Sequence, residues 1–180
     1  MSKTNGPTVF HDHAVGHAHI DTVYLWPKRE TRRKIGRTVA NVLALMDQDD
    51  EFVFAMSSAQ QFAWLEEDYP DLFRRVKERI GEGRFIFVGG MWVKADAMMP
   101  SGESLVRQIT YGRRNCKDHL GVSPKGVWLP DSFVGIQELS RRLLEGLDTP
   151  GSSRRNCPGM TQPNFPIILS FGRESTAARY

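Results

Sequence analysis

Two histidines and an aspartate stand at alternate positions near the start of the chain, in the segment HAHID at residues 17–21. In an extended chain alternate side chains point the same way, so His17, His19 and Asp21 share one side. Imidazole nitrogens and a carboxylate oxygen are donors that zinc accepts. The spacing therefore favours a zinc corner. The alternative is a polar loop whose histidines only hydrogen-bond the backbone.

A further carboxylate, Asp131, follows the apolar run GVWL at residues 126–129. An aspartate placed directly after a buried strand is costly unless it is paired, hydrogen-bonded or bound to a metal. Asp131 is thus a candidate metal ligand, a candidate nucleophile, or both. The alternative is that it caps the helix that follows.

A third cluster, GGMW at residues 89–92, ends in an aromatic side chain. The indole of Trp92 could stack on the face of a sugar ring. The alternative is that it packs in the hydrophobic core, which is the commoner role of a tryptophan at such a position.

The elements that carry these clusters alternate between strand and helix. Apolar residues spaced by three and four predict helices, and short apolar runs predict buried strands. The predicted strands are 9–15, 52–55, 85–88 and 126–129, and the predicted helices include 29–46, 72–80 and 100–119. Ser58 with Gln61 predicts a capping box for one more helix. This alternation implies a parallel sheet, in which chemistry gathers at the carboxyl ends of the strands.

Composition excludes several classes of protein. The 180 residues hold 24 Lys+Arg against 21 Asp+Glu, a basic excess too small to indicate a nucleic-acid partner. No apolar run approaches the roughly 20 residues of a membrane span, and the first residues lack an apolar signal core. Two cysteines fit a reducing compartment. We therefore expect a cytoplasmic protein with neither membrane nor nucleic acid among its partners.

Eight motifs in order resemble one family: GHAHIDTVYLWP, ETRRKIGRTV, SSAQQFAWL, YPDLF, GRFIFVGGMWV, PSGESLVRQ, YG and WLPDSF. This series is similar to the catalytic domain of class II α-mannosidases, glycoside hydrolase family 38, of the cytosolic and vacuolar type. The resemblance covers about residues 15–133. It implies an irregular α/β barrel and a retaining, zinc-dependent glycosidase that acts on mannose-containing oligosaccharides, with a vacuolar location as a second option.

The same resemblance assigns roles to individual residues. It implies that His19 and Asp21 are zinc ligands and that Asp131 is both a ligand and the nucleophile. It implies that Tyr24 and Trp92 bind substrate. Zinc can hold vicinal sugar hydroxyls, while a retaining enzyme needs a second carboxyl group about 5–5.5 Å from the nucleophile. A barrel amidohydrolase, and a zinc- or sugar-binding module without catalysis, are the alternatives.

Three positions depart from the family pattern. Tyr24 stands where the family has tryptophan, and Lys94 stands where its WVE motif has glutamate. The family's D-x-N-x-P segment reads DAMMP at residues 96–100, which replaces a polar residue with Met98. These changes indicate a divergent site.

The tail from residue 134 loses the resemblance. Reading its codons one base out of register restores it: Met160 with Thr161 permits only aspartate, and residues 165–177 permit FPHHTFFWEGIDG. We therefore expect a one-base frame slip just after Phe133, and the alternative is a genuine lineage-specific tail. The predicted organisation is an N-terminal arm at 1–14, part of an α/β barrel domain with parallel strands at 15–133, and a disordered tail at 134–180. The family's acid/base carboxylate lies further on, so the isolated chain is expected to be inactive.

Overall fold

The computed structural model describes residues 15–96, 99–124, 126–128 and 176–178. Within these residues the chain has a small sheet and four α-helices, a mixed α/β arrangement. In chain order the elements are β1 (Val15–His17), α1 (Lys28–Gln48), β2 (Phe54–Met56), α2 (Ala59–Asp68), α3 (Pro70–Gly81), β3 (Phe85–Phe87), α4 (Gly102–Asn115), a π-helical turn (Cys116–Leu120) and β4 (Thr176–Ala178).

Strands β1 to β3 form the parallel part of the sheet. The strand order is β3-β2-β1-β4. Gly16 of β1 is paired with Phe54 of β2, and Ala55 of β2 with Ile86 of β3. Helix α1 connects β1 to β2, and helices α2 and α3 connect β2 to β3. The predicted alternation of parallel strands and helices is confirmed for this part of the chain.

Strand β4 runs antiparallel to β1, with Ala177 opposite Gly16. The sheet is therefore mixed, whereas the sequence pattern predicted parallel strands throughout. The physical reason is that an edge strand leaves a row of unpaired N–H and C=O groups, which a passing segment of either direction can satisfy. These three residues belong to the tail that was predicted to be disordered. The rest of that tail and the arm at 1–14 lie outside the described residues.

Helix α1 buries the face that its apolar spacing predicted. Ile35, Val39, Val42 and Met46 are all buried. A Cβ atom at Gly36 would come within 2.6 Å of the Tyr69 ring, so the glycine lets α1 approach the junction between α2 and α3 closely.

Two local predictions are wrong. Residues 126–128 form no strand, because Gly126 adopts a φ of 74°, which interrupts an extended chain. Ser58 and Gln61 form no capping box, since the Ser58 side chain makes no capping hydrogen bond. Gln61 instead donates from Nε2 to the carbonyl oxygen of Ile20, at 2.8 Å.

The helix predicted at 100–119 is present as α4 with the π-helical turn, and it ends at Gly121 with a φ of 70°.

The main hydrophobic core of the described residues lies between the sheet and the helices, and two smaller apolar clusters lie apart from it. Aromatic rings from the sheet and from α2 fill its centre: Phe62 lies with its ring centroid 5.1 Å from that of Phe87 and 6.0 Å from that of Phe85. Cys116 of the π-helical turn is fully buried in the same core. We call α1–α3, the parallel strands, the turns that lead into those strands and this core the helical scaffold, and we exclude from it the segments at the carboxyl ends of the strands. The helical scaffold fixes the positions of the strand ends.

Candidate functional site

The loops that follow the three parallel strands meet at one edge of the sheet. The backbone N–H of Gln60 donates to the carbonyl oxygen of Trp92 at 2.9 Å, and that of Gly90 donates to Gly126 at 3.1 Å. The Gln61 amide binds Ile20, as described above. We call these segments, residues 17–22, 57–61, 89–94 and 126–128, the strand-end edge. All the described candidate residues except Tyr24 lie on it.

His19 and Asp21 lie in direct contact on this edge. Nε2 of His19 is 2.9 Å from Oδ1 of Asp21. Both side chains are partly exposed, at 24% and 36% of their surface. The structure therefore brings together the two residues that the sequence singled out as zinc ligands in this segment.

His17 does not join them. It is the last residue of β1 and is only 3% exposed, with its ring centroid 5.7 Å from that of Trp128. Burial lowers the pKa of His17 to about 4, with the Lys94 charge and the neighbouring His19 adding to the effect, so the His17 imidazole is neutral at physiological pH. Among the described residues, neither of its ring nitrogens has a hydrogen-bond partner.

Within the described residues, no three histidine, cysteine or acidic side chains come together as a metal-binding group. Asp131, the predicted third ligand and nucleophile, lies outside the described residues, as does Met98. The donor chemistry of His19 and Asp21 nevertheless suits zinc, since imidazole nitrogens and carboxylate oxygens are both zinc ligands and the two side chains lie side by side. These two residues fit as part of a zinc site.

Lys94 makes a contact with His19 that the sequence did not predict. Its Nζ lies 3.4 Å from Nδ1 of His19. The sequence pattern pointed to the change of charge at this position, but no local periodicity relates a residue in one loop to a side chain 75 residues earlier.

Gln61 supports the loop that carries the His19–Asp21 pair. Its side chain is 2% exposed and binds the carbonyl oxygen of Ile20, the residue between the two candidate ligands. Ser58 precedes helix α2 with a φ of 76°, a strained conformation for a residue with a Cβ atom. Such strain is commonest at functional sites.

Tyr24 and Trp92 occupy different environments. Tyr24 is 67% exposed and meets Trp26 edge to face, with centroids 5.8 Å apart. Trp92 is partly buried, packs against the core and donates from its indole nitrogen to Oε1 of Gln60 at 3.0 Å. It also lines an open groove of about 290 Å³ beside α4. Sugar binding by either residue stays a prediction.

Comparison with known proteins identifies the family. The model of the glycosyl hydrolases family 38 N-terminal domain matches residues 10–144. The chain therefore belongs to glycosyl hydrolase family 38, as the motifs predicted. The match begins before Val15 and ends beyond Phe133, so it is wider than the predicted range of 15–133. It does not test the frame slip, which stays a prediction.

Relatives of this chain include an alpha-mannosidase from Saccharomyces cerevisiae, 48% identical over 138 residues, which are 76% of this chain and 13% of that protein. Alpha-mannosidase 2C1 from Homo sapiens is 46% identical over 121 residues, 67% of this chain and 12% of that protein. The crystal structure of an alpha-mannosidase from Enterococcus faecalis superposes with a TM-score of 0.59 at 26% identity, over 66% of this chain and 13% of that one. The chain spans about an eighth of the length of these proteins.

None of the helices in the described part of the chain combines the length and the apolar character needed to cross a membrane. The cytoplasmic or vacuolar location stays a prediction.

Proposed function

We propose that this chain provides the nucleophile side of the active site of a retaining, zinc-dependent α-mannosidase that acts on terminal α-mannosides of oligosaccharides. The observation that carries the proposal is the family match over residues 10–144, a range that contains His19, Asp21 and Asp131. Relatives with 48% and 46% identity bear the name alpha-mannosidase. This membership gives the amidohydrolase alternative no support.

We also propose that β1–β3 and their helices are the first part of an α/β barrel. The parallel order of these strands and their helical connections support this arrangement. So does the superposition on the Enterococcus faecalis alpha-mannosidase.

In the proposed mechanism His19, Asp21 and Asp131 would hold the zinc ion. When bound, zinc offers a Lewis acid that holds vicinal sugar hydroxyls. The Asp131 carboxylate attacks the anomeric carbon, and the glycosidic oxygen leaves with a proton from a second carboxyl group. Water then hydrolyses the resulting glycosyl ester of Asp131 and returns α-configured mannose. Gln61 holds the backbone between His19 and Asp21, and so keeps the two donors in register.

A chimeric enzyme tests this function. Residues 15–133 replace the matching segment of the Saccharomyces cerevisiae alpha-mannosidase, and the chimera is assayed on an aryl α-mannoside with zinc in excess. We expect turnover, with α-mannose as the first product seen by proton NMR. Asp131→Asn should abolish turnover, and His19→Ala should reduce it together with the bound zinc. The matched control Asp71→Asn changes an exposed carboxylate on α3 and should leave activity intact.

Two results would contradict the proposal: a folded chimera without turnover in excess zinc, or one in which Asp131→Asn remains active. The 180-residue chain alone serves as a second test. No residue of this chain has been assigned as the second carboxyl group that donates the proton. We therefore expect the 180-residue chain alone to show no turnover of the same aryl α-mannoside.

A further inference from the structure

The Lys94 side chain completes a chain of polar contacts through the His19–Asp21 pair. Its Nζ lies 3.4 Å from Nδ1 of His19, and Nε2 of His19 lies 2.9 Å from Oδ1 of Asp21. Both ring nitrogens of His19 therefore have partners from this chain.

The chemistry of the two partners fixes the tautomer of His19. An ammonium group only donates hydrogen bonds, and an ionised carboxylate only accepts them. Nδ1 must then be the unprotonated acceptor, and Nε2 must carry the proton that it donates to Asp21. In this arrangement Nε2 carries the proton that it donates to Asp21, and the lone pair of Nδ1 accepts from Lys94, so neither nitrogen is available to a metal.

Zinc needs the opposite arrangement. If zinc binds Nε2, the proton must move to Nδ1, and a metal-bound histidine normally donates that second N–H to a carboxylate, a carbonyl or water. At this position the N–H would instead face the Lys94 ammonium, which is also a donor. If zinc binds Nδ1, Lys94 must leave. In either case the positive charge of Lys94 also repels the metal ion.

The effect of the Lys94 charge extends to a second histidine. It contributes to the lowered pKa of His17, after the larger effect of burial. Lys94 is itself only partly exposed. The cation is thus placed among the histidines of the strand-end edge, where solvent screens its charge less than on an open surface.

We propose that Lys94 holds His19 in the tautomer unsuited to zinc and thereby weakens the affinity of this chain for zinc. The inference rests on the proposed function in taking His19 and Asp21 as zinc ligands. It adds that this chain binds zinc more weakly than its ligand set alone allows, because one side chain competes with the metal.

Zinc titration of the full 180-residue chain against a chromophoric chelator tests the proposal. We expect K94Q to bind zinc about tenfold more tightly than the wild type, the size of effect usual for a group that supports a metal ligand. K94E should bind more tightly still, because its carboxylate can accept the Nδ1 hydrogen. The matched control K77Q removes an exposed lysine charge from α3 and should leave zinc affinity unchanged.

The tautomer gives a readout independent of the metal. In nitrogen NMR spectra of the zinc-free chain, the His19 ring is identified among the five histidines by its loss in H19A. We expect protonation at Nε2 in the wild type and a shift of the proton toward Nδ1 in K94E.

Each outcome decides the role of Lys94, the assignment of His19 as a zinc ligand, or both. Equal zinc affinity in the wild type, K94Q and K94E overturns the role of Lys94. If H19A nevertheless lowers zinc affinity in that experiment, the ligand assignment stands by itself. Gained affinity in K94E that persists after H19A is added overturns both, because the metal then binds elsewhere. Gained affinity that H19A removes supports both.

Discussion

The helical scaffold and the strand-end edge differ in how completely their buried polar groups are hydrogen-bonded. Among the described residues, buried side-chain nitrogen and oxygen atoms without a partner belong to His17, Ser58 and Trp128 on the strand-end edge, and to Arg84 on the scaffold. Arg84 still donates from Nη2 to the carbonyl oxygen of Met46 at 2.8 Å. The described residue other than glycine that has a positive φ, Ser58, is also on the strand-end edge. Unsatisfied polarity and strain are thus concentrated where the proposed chemistry lies.

The two regions therefore have different roles. The scaffold buries apolar side chains such as Phe62, Leu43 and Val39 almost completely. Its ion pairs, for example Asp47 with Arg75 and Arg79, lie at the surface and add little to stability. The strand-end edge keeps polar groups in costly positions, which is expected where they are retained for binding. Four measurements test whether the two regions differ in this way.

The largest expected effect concerns Cys116, buried in the scaffold. Burial raises the pKa of its thiol from 9.0 to about 12. Because only the thiolate is alkylated, the native chain should react with iodoacetamide about a thousandfold more slowly than the unfolded chain. The measurement is a labelling time course on a Cys157→Ser variant, which has Cys116 as its single cysteine. Comparable rates in buffer and in denaturant would show that the scaffold around Cys116 is open.

The next effect is that of a cavity in the scaffold. Phe62 is 1% exposed, and we expect Phe62→Ala to lower the free energy of unfolding by about 3–5 kcal/mol. Urea denaturation measures the loss. The control Leu45→Ala truncates a leucine on α1 that is 46% exposed, and it should cost far less. Similar losses for the two variants would refute the assigned core.

A smaller loss is expected when the strand-end edge loses a satisfied contact. Gln61→Leu leaves the carbonyl oxygen of Ile20 buried without its donor, at a cost of about 1–3 kcal/mol. The same urea experiment measures it, and the amide resonances of residues 19–21 should shift. Gln48→Leu, at the exposed end of α1, is the matched control and should change neither. An unchanged stability for Gln61→Leu would mean that the loop is not held by this bond.

The smallest effect has the opposite sign. His17 carries two buried nitrogens that have no hydrogen-bond partner among the described residues, so His17→Leu should leave the zinc-free chain as stable as before or up to about 1 kcal/mol more stable. Urea denaturation in the presence of a chelator measures the change. A loss larger than 1 kcal/mol would show that His17 contributes to folding after all.

Part of the site was predictable because it is local. His19 and Asp21 are two residues apart in a segment without a helix, and so the sequence could place their side chains together. The faces of α1 and α3 were predictable for the same reason, since period and burial coincide. The capping role of Gln61 was mispredicted because its actual partner, Ile20, is 41 residues away.

By itself, the sequence determined the family, the alternation of strands and helices, and the His19–Asp21 pair, because each rests on ordered motifs or on spacing within a few residues. The tertiary structure decided that His17 is buried apart from that pair, that β4 runs antiparallel, and that Lys94 contacts His19. Those outcomes depend on the register of the sheet and on the paths of loops distant in sequence. No local pattern encodes which side chain the third strand's loop brings against the first.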